Sequence, residues 1–233
     1  MNFNGALPCI CYYNYEIEFK AYMECSMKRV IPLFILIATL VAAPAWADAP
    51  KIAGQYKVIG DLNNLKNAKQ IELIEFFNYS CGHCYNFLKA SKRLHEKFKG
   101  KLLHKKQPIY WGQQTPYPAM AYYISDEQGV EEKFTQTLFD TNFQLEVNIF
   151  QPRVISMLSK DFGIQDAMTE GMQSPRIRNK VQESLQRAKQ YDVQETPTLI
   201  INDTLKVTPS LTGGDVEKMT DNLIVIFESL LNQ

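Results

Sequence analysis

The chain has 233 residues, 45% of them apolar and 21% charged, and its 25 basic residues balance 25 acidic ones. These proportions are those of a globular protein and set aside disordered or fibrous classes. The neutral balance argues against nucleic acid as a partner, since a nucleic-acid binder carries a basic footprint.

Taken in chain order, residues 27–47 read as a secretory signal peptide. Met27-Lys28-Arg29 supplies the basic start, Val30 to Ala43 the apolar run, and Ala45-Trp46-Ala47 the small residues that a signal peptidase reads. The run falls short of the roughly 20 residues of a membrane-spanning helix; an uncleaved anchor is the alternative reading. No cysteine follows the run, so a lipid anchor is not expected. Residues 1–26 make little sense ahead of such a signal. They read as a segment extra to a native start at Met27 or Met23, with a genuine extension as the alternative. Cleavage after Ala47 removes Cys9, Cys11 and Cys25 and leaves Cys81 and Cys84 in an exported, periplasmic chain. So short a loop gains little from closure entropy, so the pair is explained by reactivity rather than stability.

In the mature chain, Tyr56–Ile59 reads as a short edge strand and Ile71–Phe77 as a buried central strand. That strand runs through Asn78-Tyr79-Ser80 into Cys81-Gly82-His83-Cys84. Phe87, Leu88, Ser91, Leu94, His95 and Phe98 then recur at helical spacing, and Gly100 closes the helix. Leu102–Trp111 reads as a strand, with Pro108 marking an edge or an end. Helices are expected at Tyr117–Asp126, Glu131–Phe139, Pro152–Asp161, Gln165–Met172 and Arg176–Tyr191. Strands return at Thr198–Ile201 and Leu205–Val207, joined by an Asn202-Asp203 turn. A last amphipathic helix spans Asp215 to about Leu231, with Met219, Leu223, Ile226, Phe227 and Leu230 on one face. The order is that of an α/β thioredoxin-like fold with an inserted helical domain: residues 48–114 and 191–233 form the thioredoxin-like part, and 115–190 the insertion.

A Cys-x-x-Cys at a strand-to-helix junction places its first thiol at a helix N-terminus, where free N–H groups favour an anion. Thiolate is both the nucleophile and the better leaving group. Cys81 is therefore the expected attacking sulfur, and Cys84, one turn on, the buried resolving sulfur. His83, when protonated, is positioned to stabilise the Cys81 thiolate; the plainer reading is a solvated histidine without a role. Gly82 lets the turn close and leaves room for a substrate backbone. Glu75, on the central strand, is a costly buried carboxylate unless paired or exchanging protons. It is a candidate proton acceptor for Cys84, with Lys105 as its expected charge partner; the plainer reading is an edge ion pair. Thr196-Pro197 precedes a strand, and by itself argues only for strand initiation.

The stretch Ile74-Glu75-Phe76-Phe77-Asn78-Tyr79-Ser80-Cys81-Gly82-His83-Cys84 strongly resembles the DsbA family of periplasmic disulfide oxidoreductases. The helical insertion, Thr196-Pro197 and the signal peptide fit that family as well. The resemblance implies a redox-active Cys81–Cys84 disulfide, a cis Pro197 facing the site, and a Thr196 backbone offered to substrate. It also implies Glu75 as the family's buried acid, near a lysine partner at Lys105. The implied activity is donation of a disulfide to unfolded or reduced exported proteins. No cofactor is expected, and residues 48–65 are too short for the added N-terminal dimerisation module of isomerases, so a monomer is expected. A quinone-linked inner-membrane protein of the DsbB type is the implied reoxidant. Two residues depart from the best-known members: Gly82 stands where they carry proline, and Thr196 where valine usually precedes the cis proline. A disulfide isomerase or reductase of the same fold is therefore the alternative. A zinc site is not supported, because Cys81-Cys84 has no second pair and His95 and His104 lie outside zinc-finger spacing.

Overall fold

The structure, a computed structural model, describes residues 50–232; the signal peptide and the segment ahead of it lie outside the described residues. Among those described, strands β1 (Lys57–Val58), β2 (Ile71–Phe77), β3 (Leu102–Pro108), β4 (Thr198–Ile201) and β5 (Leu205–Val207) form one sheet in the order β1-β5-β4-β2-β3. β2 and β3 are parallel, while β4 pairs antiparallel with β2 and with β5. The parallel pair requires a crossover, which helix α1 (Gly82–Lys97) supplies. The β4–β5 hairpin turns at Asn202-Asp203, both with positive φ (47° and 52°), which short polar residues tolerate.

Between β3 and β4 the chain runs through α2 (Tyr117–Glu127), α3 (Glu131–Phe143), α4 (Pro152–Lys160), α5 (Gln165–Gly171) and α6 (Pro175–Gln190), and α7 (Val216–Leu231) closes it. Helix α1 packs beside α7 on one sheet face, where Leu73, Phe87 and Leu94 meet Leu223, Phe227 and Leu230. On the other face Ile74, Phe76 and Ile200 pack with Ala188 of α6. The helical insertion has its own core around Phe134, Leu138, Met168, Ile177 and Val181. That core continues into Phe77, Tyr79 and Cys84, so the insertion roofs the end of the sheet where the cysteines lie.

Some boundaries differ from the sequence reading. β3 stops at Pro108 and is an edge strand, so both readings of that proline hold. α3 continues one turn past Phe139 because Phe143 stacks on Tyr85 of α1. Two short 3-10 turns, Leu62–Leu65 and Pro209–Thr212, are too brief to show a period in the sequence.

Candidate active site

The site begins where β2 ends. The Asn78 carbonyl accepts the Cys81 N–H at 3.0 Å, and its side-chain oxygen accepts the Ser80 N–H and hydroxyl, both at 2.7 Å. Gln114, just past β3, locks this turn: its oxygen accepts from the Asn78 amide (2.7 Å) and the Trp111 N–H (3.0 Å), and its own amide donates to Ser80 Oγ at 2.6 Å. From α3, the Asn142 amide donates to the Tyr79 carbonyl at 3.3 Å. The turn thus delivers Cys81 as the N-cap of α1.

Both cysteines are free thiols. Cys81 Sγ takes the place of a capping oxygen and accepts the Cys84 N–H at 3.2 Å. Its thiol donates to the Thr196 carbonyl at 3.1 Å. A hydrogen bond from the Cys84 thiol, together with contacts to Thr196 and the Cys84 N–H, outweighs partial burial and brings the Cys81 pKa down to about 6. The charge of His83 contributes least among these causes. Cys84 is 1% exposed, and burial above all, then its bond to Cys81, holds its pKa well above that of an ordinary thiol. The two sulfurs are therefore unlike: one exposed enough to attack and anionic near neutral pH, the other buried and protonated.

The remaining candidates fall at different distances from this pair. The Thr196-Pro197 bond is cis, and its carbonyl side faces Cys81. His83 is exposed and lines an open groove of about 810 Å³ with Tyr85, Lys89, Asp215 and Glu217. A Cβ added at Gly82 would meet nothing closer than Phe143 at 3.9 Å, so the turn closes without needing glycine. What Gly82 leaves is open approach to Cys81. Glu75 is 5% exposed and lies on the α1 face of the sheet, because β2 alternates and Leu73 and Phe77 share that face. Its partner is not Lys105. β3 runs parallel with Lys105 opposite Ile74, which turns that lysine to the other face, where it pairs with Glu72. His104, opposite Leu73, faces Glu75 instead, with its Nε2 2.9 Å from Glu75 Oε2. The ring N–H points off the line to the oxygen, so this is a close polar contact rather than an aligned hydrogen bond.

A family model described as "Thioredoxin" matches residues 59–221. The chain belongs to the thioredoxin family. Its relatives include the "Thiol:disulfide interchange protein DsbA" of Burkholderia cepacia, 23% identical over 192 residues that make up 81% of this chain and 91% of the relative. The protein of the same name from Pseudomonas syringae pv. tomato is 24% identical over 199 residues, 84% of this chain and 93% of its own. Among solved structures, Pseudomonas aeruginosa DsbA superposes with a TM-score of 0.64 at 20% identity, covering 77% of this chain and 95% of that one. The DsbA oxidoreductase of Xylella fastidiosa gives 0.63 at 21% identity, covering 79% and 97%. The similarity to DsbA thus spans the thioredoxin sheet and the helical insertion together, well beyond the active-site stretch.

Sequence reasoning passed over Asn78, Gln114 and His104 as parts of the thioredoxin site. Asn78 had a signal, since an Asn between a strand and a helix cap favours an Asx turn. Gln114 had none, because its contacts cross from one loop to another. His104 is revealed only by the strand register.

Proposed function

We propose that this chain is a thiol:disulfide oxidoreductase that donates the Cys81–Cys84 disulfide to exported proteins. The observation that carries this is the asymmetry of the pair: a capped Cys81 with pKa about 6 against the Thr196 carbonyl, backed by a buried Cys84 held protonated. A low-pKa thiolate is a good leaving group, and its stability in the reduced form makes the disulfide oxidising. The resemblance to proteins named thiol:disulfide interchange protein supports the same reading.

Turnover follows from thiol–disulfide exchange. A substrate thiolate attacks Cys81 Sγ, the Cys81–Cys84 bond breaks, and Cys84 sulfur takes the electron pair and a proton. The substrate's second thiolate attacks its own sulfur in the mixed disulfide and expels Cys81 as thiolate. The substrate is oxidised by two electrons and the protein reduced by two. Of the two substrate protons, one ends on Cys84 and one in water. Glu75 is the buried carboxylate through which the Cys84 proton passes. His83, when protonated, stands beside Cys81 as a minor stabiliser of its thiolate, Gly82 leaves the approach open, and the Thr196-Pro197 backbone pairs with an extended substrate segment beside the sulfur.

The compartment is the periplasm, on the strength of the signal-peptide pattern in residues 27–47. The partners are reduced exported proteins and, to reset the pair, a quinone-linked inner-membrane reoxidase of the DsbB type. The test is oxidative refolding of a reduced two-disulfide protein with a Cys81→Ser control. Net oxidation by the wild type and none by the variant is the expected result; repair of scrambled disulfides without net oxidation would favour an isomerase.

A further inference from the structure

Glu75 is the only buried carboxylate among the described residues, and it does not end in a dead pocket. His104, its side chain 3% exposed, lies against it. On its far side His104 Nδ1 meets Nε2 of His95 on α1 at 2.9 Å, with the two ring planes inclined by 27°. His95 is exposed and lines a groove of about 1220 Å³ between α1, β3 and the helices α2 and α3. The three side chains therefore lie in succession from the α1 face of the sheet, where Glu75 sits, to solvent.

We propose that His104 and His95 are a proton relay connecting Glu75, and through it Cys84, to bulk water. This rests on the oxidoreductase reading, because that chemistry must protonate a buried sulfur in one half-cycle and deprotonate it in the other. With a carboxylate before it, His104 carries its proton on Nε2, and His95 Nε2–H donates to His104 Nδ1. During substrate oxidation Cys84 leaves as an anion. His95 takes a proton from water at Nδ1, passes its Nε2 proton to His104 Nδ1, and His104 passes its Nε2 proton to Glu75 and on to Cys84. Both rings then hold their protons on Nδ1. When the pair is reoxidised, the Cys84 proton travels outward along the same atoms and restores both Nε2–H tautomers. Neither ring has to turn over for the cycle to repeat. The bent Glu75–His104 contact straightens with a small ring shift, as contacts of this kind often do during turnover.

The charged groups around the histidine pair come from every neighbouring element: Lys92 and Glu96 on α1, Lys105 and Lys106 on β3, Asp126 on α2, and Glu131, Glu132 and Lys133 on α3. Burial, His104 and Lys106 push the His95 pKa down, against a smaller pull from Glu132 and Glu75. A neutral imidazole at neutral pH both accepts and donates, as a relay requires.

The experiment follows the reaction of the reduced protein with glutathione disulfide by stopped flow. Attack by Cys81 forms a mixed disulfide; attack by Cys84, which must lose its proton, then releases the second glutathione. His95→Ala, at an exposed helix position, and His104→Gln are compared with wild type. The expected result is an unchanged first step and Cys81 absorbance midpoint, with the second step slowed about a hundredfold, the low end of general acid–base effects. Added imidazole should restore the second step in His95→Ala and shift its pH profile back. A second step unaltered in both variants, or slowed in His95→Ala but not restored by imidazole, overturns the relay while leaving the oxidoreductase reading intact. A wild-type protein that forms no mixed disulfide at Cys81 overturns both.

Discussion

Cys81 shows how one residue type takes opposite characters three positions apart. A thiol with pKa about 6 is roughly nine-tenths thiolate at pH 7, whereas an ordinary thiol near 8.5 is only a few per cent thiolate. Thiolate absorbance in the ultraviolet should titrate with a midpoint near 6, and Cys84→Ala, which removes the donor, should raise it, since the hydrogen bond from the Cys84 thiol is the leading cause of the shift. The sign of the linked stability is set by a folded-state pKa below the unfolded one. The reduced form gains stability from the thiolate above the unfolded thiol pKa and loses it as pH falls through 6. Reduced protein should therefore melt above oxidised protein at pH 8, with the gap narrowing toward pH 5; a gap independent of pH would contradict the assignment. Gln114→Ala should lower stability by about 1–3 kcal/mol, because it strips partners from Asn78, Ser80 and the Trp111 N–H at once. At this scale the Cys81-x-x-Cys84 pair at a strand-to-helix junction and the buried strand that carries Glu75 could be read from the sequence, whereas the cis Pro197 beside the site came only from the family resemblance, because a Thr-Pro ahead of a strand argues by itself for strand initiation. The partner of Glu75 could not be read, because the choice between His104 and Lys105 depends on which face of β3 each occupies.

Elements were legible where their period was long. β2, α1, α6 and α7 follow directly from apolar spacing, and their observed ends agree with that spacing within a residue or two. Ends set by contacts elsewhere were not legible, as with the last turn of α3 against Tyr85. One junction depends on a buried cation. Lys206 of β5, 8% exposed, donates to the carbonyls of Tyr191 and Asp192 at 2.9 and 2.6 Å, where α6 ends. Burial lowers its pKa, and the two carbonyls are what keep the ammonium tolerable there. Lys206→Met keeps the volume but orphans both carbonyls, so a loss of about 1–3 kcal/mol in denaturant unfolding is expected. On the opposite face, Phe227→Ala empties a fully buried site against Phe98 and should cost about 3–5 kcal/mol.

For the molecule as a whole, the alternation of strands and helices announces an α/β sheet with a helical insertion, and the structure has that arrangement. What the order of elements does not announce is how the insertion is held. Glu127 at the end of α2 accepts from Arg176 and Lys180 of α6. The Arg176 hydrogen bond leads in bringing its pKa down to about 2. A depressed carboxylate contributes stability that is complete above its unfolded pKa near 4.5 and fades as pH falls toward 2. The arginine is largely exposed, so the effect is modest and salt-sensitive. Glu127→Gln should accordingly be less stable than wild type at pH 6, with the difference vanishing near pH 2; acid-unfolding curves followed by near-ultraviolet dichroism would show whether it does.

Trp111 lends the molecule a built-in optical reporter. The sequence has two tryptophans, and cleavage after Ala47 would remove Trp46, leaving a single indole in the exported chain. That indole is 41% exposed, and its backbone N–H is held by Gln114, whose amide in turn grips Ser80 beside Cys81. Any shift of the turn that accompanies opening or closing of the Cys81–Cys84 bond is thus passed through one glutamine to the Trp111 indole. Its emission wavelength and anisotropy can follow thiol–disulfide exchange at the pair in unlabelled protein, and Gln114→Ala provides the control in which that signal is uncoupled.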